Sequence, residues 1–459
     1  MNLLVNFTSN RQSGDFKMTQ SRNPSGILPE TAKQICVATL NKRISQILKI
    51  ISPTEKSNIE RQNILDDLNY IVENLIDYSD SKPSLKIIPL GSFQTRTYLP
   101  DSDIDLVAFL TGLDSLTFLR TIFSFFITFE GKNLENKNLK NKKIKVNFVK
   151  IIDSSTIPVL KLKLNDIKID LSVNIAAGPF TALFFEKVSC FFNAEGNKNL
   201  FKESVLLIKT WMQNEAHILG SNNYMLSTTG LQTMILHLFL VFPQISTPFQ
   251  AFGLFLTYFS KTNLTDGRIL SFGQLWTPEL FCSSHEPSCF DADTTEFINQ
   301  LQIFYSETGT HHFEAFKVCH MNIADSLYPA SNLARSVSLL NSARIIRALF
   351  LGAEQISAVI KGIDSDSVVM QEDAVAMLTA MFITTLTKYH NNKDAINFDF
   401  VAPRNILSNA AFAYHFSTDA KKNVDLAYAK SIEVPIFTQD TNGFIGPDLS
   451  LNALLNIFI

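Results

Sequence analysis

The chain has 459 residues, of which 46% are hydrophobic, and a formal net charge of -3. That length and apolar content allow two or three domains with proper cores, and the near-neutral charge excludes a broad non-specific nucleic-acid binder while leaving room for a local basic groove. Five scattered cysteines fit a reducing compartment, no signal-peptide pattern is evident, and the longest apolar stretch, Met234 to Pro243, is too short to span a bilayer, so the expectation is an intracellular protein of nucleus or cytoplasm with no membrane partner.

Residues 1–30 are polar and rich in Ser, Asn, Gly and Pro, which predicts a disordered N-terminus. From Glu30 to Ser79 apolar residues recur at helical spacing, with a break at Pro53, and this pair of helices (31–80) is assigned to a helical domain. Lys86 to Leu90 reads as a short strand leading into Gly91, and Asp105 to Leu110 as the next. A helix near Ser115 to Phe126 follows, then strands near Ile144 to Ile152, Pro158 to Leu164 and Ile167 to Val173. Asn165-Asp166 has the form of a hairpin turn. Strands flanked by helices predict a mixed-sheet domain over 81–180. Helices dominate the second domain, 181–359: Leu200 to Asn214, Ser227 to Phe242, Phe252 to Ser260 and Ser336 to Ala358. The extension, 360–459, has helical periodicity from Val368 to Tyr389 and then an irregular stretch ending on apolar Leu451 to Ile459, which would pack back or meet a protein partner.

The most informative segment is Leu90-Gly-Ser-Phe-Gln-Thr-Arg-Thr-Tyr-Leu-Pro-Asp-Ser-Asp-Ile-Asp-Leu106. On a strand, Asp103 and Asp105 share one face while Ile104 and Leu106 point into a core. Two adjacent carboxylates repel unless a cation or proton lies between them, and Mg²⁺ takes hard oxygen ligands of this kind. Gly91 lets the backbone approach a phosphate closely, and Ser92 can donate a hydroxyl to it. A third acid is offered by Ile167 to Val173: Asp170 shares a face with Lys168 and Ser172 opposite an apolar face, whereas Asp166 is an ordinary turn residue.

Together these residues resemble the nucleotidyltransferase superfamily that includes DNA polymerase beta, and within it the non-canonical poly(A) polymerases and terminal uridylyltransferases. The nearest likeness is to plant-type members with an oligoadenylate-synthetase-like substrate-binding domain. Three blocks occur in the family's order: Gly91 to Leu106, Leu200 to Trp211 with Leu219 to Ser221, and Asp325 to Val337. The resemblance implies an α+β fold, in which a nucleotidyltransferase mixed-sheet domain joins a helical poly(A)-polymerase/oligoadenylate-synthetase-like substrate-binding domain. It implies that Asp103, Asp105 and Asp170 are catalytic and hold two Mg²⁺ or Mn²⁺ ions. Gly91, Ser92, Lys209, Ser227, Thr228, Thr229, Asp325, Asn332 and Arg335 would bind the nucleotide. The partners implied are a nucleoside triphosphate (ATP or UTP) and an RNA 3′ end.

Three positions depart from the family pattern. Its base-stacking tyrosine is Thr229 here, a loss of roughly 1–3 kcal/mol unless a neighbour such as Tyr224 supplies the ring. A second helix lysine is Gln213, and the recognition motif reads Asp325-Ser-Leu and Ser331-Asn332. These departures keep two other readings open: a weakly active or inactive homologue acting as an RNA-binding or scaffolding subunit, and a nucleotidyltransferase with a non-RNA acceptor. Arg335 fits base or ribose contact and bracing of a helix N-terminus equally. The basic run Lys132, Lys137, Lys140, Lys142, Lys143 and Lys145 fits an RNA-backbone contact, but with Asn interleaved and few aromatics nearby it reads better as a solvated loop. Cys282, His285, Cys289, His311, His312, Cys319 and His320 match no standard zinc spacing.

Overall fold

The computed structural model describes residues 29–75, 85–110, 113–153, 157–175, 177–192, 199–262, 264–265, 270, 316–326, 330–365 and 367–389. The N-terminal segment, the apolar tail and Cys282, His285, Cys289, His311 and His312 lie outside these residues. Cys319 and His320 fall within them, and Cys319 is a free thiol.

The six strands are β1 (Leu85–Leu90), β2 (Ile104–Leu110), β3 (Asn133–Glu135), β4 (Lys143–Ile152), β5 (Val159–Leu164) and β6 (Ile167–Val173). They form one mixed sheet in the order β1-β2-β6-β5-β4-β3. Only β2 and β6 run parallel; the other neighbours are antiparallel. The sequence pattern anticipates five of the six. The short β3 sits in the lysine-rich loop, where Lys143 pairs with Glu135 at 3.1 Å. Asn165 and Asp166 both have positive φ, as a two-residue hairpin turn requires. One sheet face carries Ile104, Leu106, Ile144, Val146, Leu160, Leu162, Ile169 and Leu171 into a core shared with α2 (Glu55–Leu75) and α4 (Ser115–Ile127). A short α3 (Gly91–Gln94) follows β1, and α5 (Ala177–Phe191) packs against both.

The helical half comprises α1 (Pro29–Ile51), α6 (Leu200–Thr210), α7 (Thr228–Val241), α8 (Pro248–Phe259), α9 (Leu339–Ile363), α10 (Val368–Ala380) and α11 (Ile383–Tyr389). It surrounds a second core built on Phe201, Trp211, Phe239, Phe252, Phe255, Phe259 and Phe382. Two domain assignments change. The pair 31–80 is split at Pro53: α1 buries Leu40, Ile44, Ile47 and Ile51 in the helical core, whereas α2 buries Ile64, Leu65, Leu68, Ile71 and Val72 in the sheet core. Asp67 of α2 fixes that placement by accepting from the Lys140 and Asn141 amides of the β3–β4 loop. The helical domain also continues past 359, because Ala374, Leu378, Met381, Phe382, Leu386 and Tyr389 complete its core.

The helix expected to reach Asn214 stops at Thr210 and continues as a turn of π-helix, Trp211–Glu215. Its wider turn carries Glu215 to the N-terminus of α11, where the carboxylate accepts from the Thr384 and Thr385 amides at 3.1 and 2.7 Å. Among the described residues no single helix is long and apolar enough to cross a membrane; α10 and α11 pass only as a bent pair.

Close packing makes this core sensitive to single methyl groups. A Cβ on Gly352 would lie 2.8 Å from the Trp211 ring and 2.9 Å from Leu256. Alanine adds roughly 1 kcal/mol of helix propensity at an interior site, against about 1–3 kcal/mol of overpacking. Gly352→Ala is therefore expected to lower the thermal midpoint by a few degrees; an unchanged or raised midpoint would mean the indole has room to move.

His237 of α7 is buried beside Tyr258, 3.0 Å from its hydroxyl, and burial lowers its pKa to about 4. In the unfolded chain it titrates near 6.5, so the folded state resists a proton that the unfolded state takes up. Its contribution is full above pH 6.5 and is lost as pH falls toward 4. Unfolding free energy should drop by about 2 kcal/mol between pH 7 and pH 5 from this group. Urea titrations at both pH values should show the drop in wild type and a smaller one in His237→Phe/Tyr258→Phe.

Candidate active site

Parallel pairing of β2 with β6 places Asp105 directly beside Asp170. Asp103 precedes β2 by one residue. Single carboxylate oxygens from Asp103, Asp105 and Asp170 all lie within 4.8 Å of one another, half-buried, so the three sequence-predicted acids converge. Burial, with like-charge repulsion from Asp103 and Asp170, pushes the Asp105 carboxyl up to about 7, against the pull of Lys209 and Lys161. Three hard oxygen donors with excess negative charge in a partly desolvated place suit Mg²⁺ or Mn²⁺.

Gly91 closes one side of the cluster. Its φ is +64°, and a Cβ there would lie 3.0 Å from Asp105 Oδ2. Glycine is thus required twice, for the left-handed backbone and for the close approach. Ser92 follows in α3, and its carbonyl accepts from the Thr97 amide at 2.9 Å.

The loop 95–103 that delivers Asp103 is held from three sides. Arg61 of α2, 3% exposed, donates from Nη2 to the Ser102 carbonyl at 2.7 Å and the Pro100 carbonyl at 3.4 Å, and its guanidinium stacks 4.3 Å above the Tyr98 ring. Lys209 of α6, 4% exposed, donates to the Thr97 carbonyl at 3.0 Å. Burial lowers its pKa to about 8 while Asp103 and Asp105 oppose the shift. Lys209 is therefore a buried cation attached to the acid-bearing loop rather than a helix lysine snorkelling to solvent. On the third side Asp101 pairs with Lys388 at 2.7 Å and accepts from the Tyr389 hydroxyl at 2.6 Å, which ties the loop to α11.

A cleft of about 490 Å³ opens beside the acids and is shared by both domains. Its lining includes Leu90, Gly91 and Thr95 from the sheet domain, Gly178 and Thr181 from α5, and Thr229, Gln232, Asp325, Leu333 and Arg335 from the helical domain. Four of the predicted nucleotide-binding residues, Gly91, Thr229, Asp325 and Arg335, thus meet in one concavity. Ser227 and Asn332 do something else. The Ser227 hydroxyl caps α7 by accepting from the Gly230 amide and donates to the Leu333 carbonyl, both at 3.0 Å. Asn332 is buried, with its amide bonded to Ile323, Ala334, Met321, Lys317 and Asn322, so it braces the recognition segment instead of facing the cleft. Arg335 is exposed and hydrogen-bonds the Asn332 carbonyl at 3.3 Å; it braces no helix N-terminus in that bond. Thr228 begins α7 next to Thr229. Tyr224 lies outside this lining and is 66% exposed; the aromatic residue of the lining is Phe185.

Sequence reading missed Arg61 and Lys161. Lys161 of β5 stands directly opposite Asp170 and forms an ion pair with it. Its signal was only an ordinary Lys-Leu-Lys-Leu alternation.

Residues 40–182 match the model of the mitochondrial-like poly(A) RNA polymerase central palm domain, and residues 196–386 match that of the PAP/OAS1 substrate-binding domain. A palm bearing three acids and a helical substrate-binding half define a nucleotidyltransferase. With both of these domains matched in order, the chain belongs to the poly(A) RNA polymerase-like nucleotidyltransferases. Among solved structures, a cytoplasmic RNA terminal U-transferase aligns at 16% identity over 75% of this chain and 98% of its own, with a TM-score of 0.45. A structure of Cid1, an RNA terminal uridylyl transferase, aligns at 15% identity over 76% and 98%, with a TM-score of 0.47. A MgGTP-bound Cid1 poly(U) polymerase aligns at 17% over 75% and 97%, with a TM-score of 0.43.

Proposed function

We propose that the protein is a template-independent RNA nucleotidyltransferase that adds AMP or UMP to RNA 3′ ends. The observation that carries the proposal is the convergence of Asp103, Asp105 and Asp170 at the edge of a cleft whose far wall is the helical substrate-binding domain. In the reaction the RNA 3′-oxygen attacks the α-phosphate of a nucleoside triphosphate, its proton is lost, and pyrophosphate leaves. Two Mg²⁺ or Mn²⁺ ions held by the three aspartates would lower the hydroxyl pKa and neutralise charge on the phosphates.

The chain's own residues do the positioning. Gly91 leaves backbone space for phosphate oxygens beside the acids, and the Ser92 hydroxyl is available to donate to them. Lys209 contributes positive charge from below while it holds the acid-bearing loop. Thr229, Asp325 and Arg335 present a hydroxyl, a carboxylate and a guanidinium to the base and ribose. With threonine at the stacking position, base discrimination falls to hydrogen bonds, and modest selectivity between ATP and UTP is expected.

The test is extension of a labelled single-stranded RNA by the purified protein with Mg²⁺ or Mn²⁺ and each nucleoside triphosphate in turn. A ladder with ATP or UTP that requires RNA supports the reading. Nucleotide turnover without RNA would indicate a non-RNA acceptor, and no turnover by folded protein would indicate a binding subunit.

A further inference from the structure

The sheet face that bears the acids continues beyond them. The pairing registers align Asp105 with Asp170, Asp170 with Lys161, and Lys161 with Lys150, in one row across β2, β6, β5 and β4. A second row, two residues along each strand, aligns Lys168 with Lys163 and Lys163 with Phe148. The opposite face of the same strands is core, but this one is open: Lys150 and Lys168 are exposed, Phe148 is 44% exposed, and Lys161 and Lys163 are partly exposed. At ordinary strand spacing the patch measures roughly 7 by 10 Å.

Four lysines and one exposed aromatic ring thus border the acids in a chain whose net charge is -3. Lys161 pairs with Asp170, and Lys163 pairs with Asp166 at 3.0 Å. Among the described residues, Lys150 and Lys168 form no ion pair. A β-bulge between Val146 and Phe148 turns the Phe148 ring onto this side.

The position of the patch matters as much as its charge. The nucleotide cleft lies on the β1 side of the acids, lined by Gly91, Thr95 and the helical domain. In-line displacement sets the attacking oxygen opposite the leaving group. A triphosphate seated in the cleft therefore leaves the β6–β5–β4 side for the strand that brings the attacking hydroxyl.

We propose that the open face of β6, β5 and β4, through Lys150, Lys163, Lys168 and Phe148, binds the 3′-terminal nucleotides of the single-stranded RNA acceptor. This inference rests on the function proposed above. Lysines on a flat surface neutralise a flexible phosphate backbone, and an exposed ring stacks on a base of any identity. The surface is accordingly tolerant of sequence.

The experiment measures fluorescence anisotropy of a short fluorescein-labelled single-stranded RNA against salt, RNA extension, and the thermal shift produced by Mg²⁺ with nucleoside triphosphate. It compares wild type, Lys150→Gln/Lys168→Gln and Phe148→Ala. Removing two phosphate-neutralising lysines should weaken RNA binding about tenfold at low salt and reduce the slope of log affinity against log salt by about 1.4. Phe148→Ala should weaken binding about tenfold and leave the slope unchanged. The nucleotide-dependent thermal shift should be retained in both. Variants that bind RNA like wild type, from a wild type that extends RNA, would overturn the surface and leave the function standing. A wild type that neither binds nor extends RNA would overturn both. Loss of the nucleotide-dependent shift in the variants would also overturn it, because the surface would then belong to the nucleotide site.

Discussion

Asp105→Asn should lose RNA extension by a factor on the order of 10³ or more while the protein stays folded. Removing one charge from the triad removes several kcal/mol of electrostatic stabilisation at the reacting phosphate, and each 1.36 kcal/mol is tenfold in rate. The fold should not suffer. Asp105 lies between Asp103 and Asp170 in a half-buried place, so its charge is a cost to the metal-free protein. The thermal midpoint of metal-free Asp105→Asn should equal or exceed that of wild type. Mg²⁺ or Mn²⁺ should raise the wild-type midpoint and leave the variant's nearly unchanged, because only a ligand that binds the native state stabilises it. Activity within tenfold of wild type, or an equal metal response, would remove Asp105 from the catalytic set.

Arg61→Ala should be the most damaging change outside the triad. The guanidinium is buried, stacked on Tyr98 and bonded to the backbone on either side of Asp101. Hydrogen bonds from a charged donor contribute about 1.5–3 kcal/mol each, and their loss would leave carbonyls without partners. A drop of roughly 3 kcal/mol in unfolding free energy is expected, together with loss of kcat of about 10–100-fold, because the loop that presents Asp103 becomes loose. KM for the nucleotide should change little, since Arg61 does not line the cleft. Arg61→Lys should recover less than half of either loss: a single ammonium cannot reproduce the planar fork that reaches both carbonyls. Wild-type kcat with reduced stability would make the role of Arg61 purely architectural.

The triad and Arg61 are written into the sequence in different ways. The triad was legible because its chemistry is written locally. The Asp103 and Asp105 spacing, the Gly91-Ser92 pair and the lone acid on an apolar strand each violate what a structural strand needs, and a violation implies a function. Arg61 violates nothing, since a helix arginine is ordinary until a loop some 40 positions later closes over it. Lys161 gives the same lesson on a strand, where alternation shows which face a lysine takes but not that Asp170 stands opposite.

Domain membership failed for a related reason. Helical periodicity shows that α1 and α2 each have an apolar face, and nothing in the pattern says which core that face meets. Within the segment Asp325 to Val337, the sequence pointed to Asp325 and Arg335, which line the cleft. It could not show that Asn332, between them, points back to fasten its own loop.

The split between the first two helices has a consequence for how the protein is made. Of the described elements α1 is synthesised first, yet the surfaces it covers lie on α6, α8, α9, α10 and α11, the earliest of which begins at Leu200. The sheet domain, with α2, can close before then. The face of α1 carrying Leu40, Ile44, Ile47 and Ile51 must therefore wait, uncovered, while residues 52–199 are translated. Non-local closure of this kind slows folding and favours association with other chains or with a chaperone in the interval. The first described helix is seated late, and the helical half is finished only when both ends of the described chain have met.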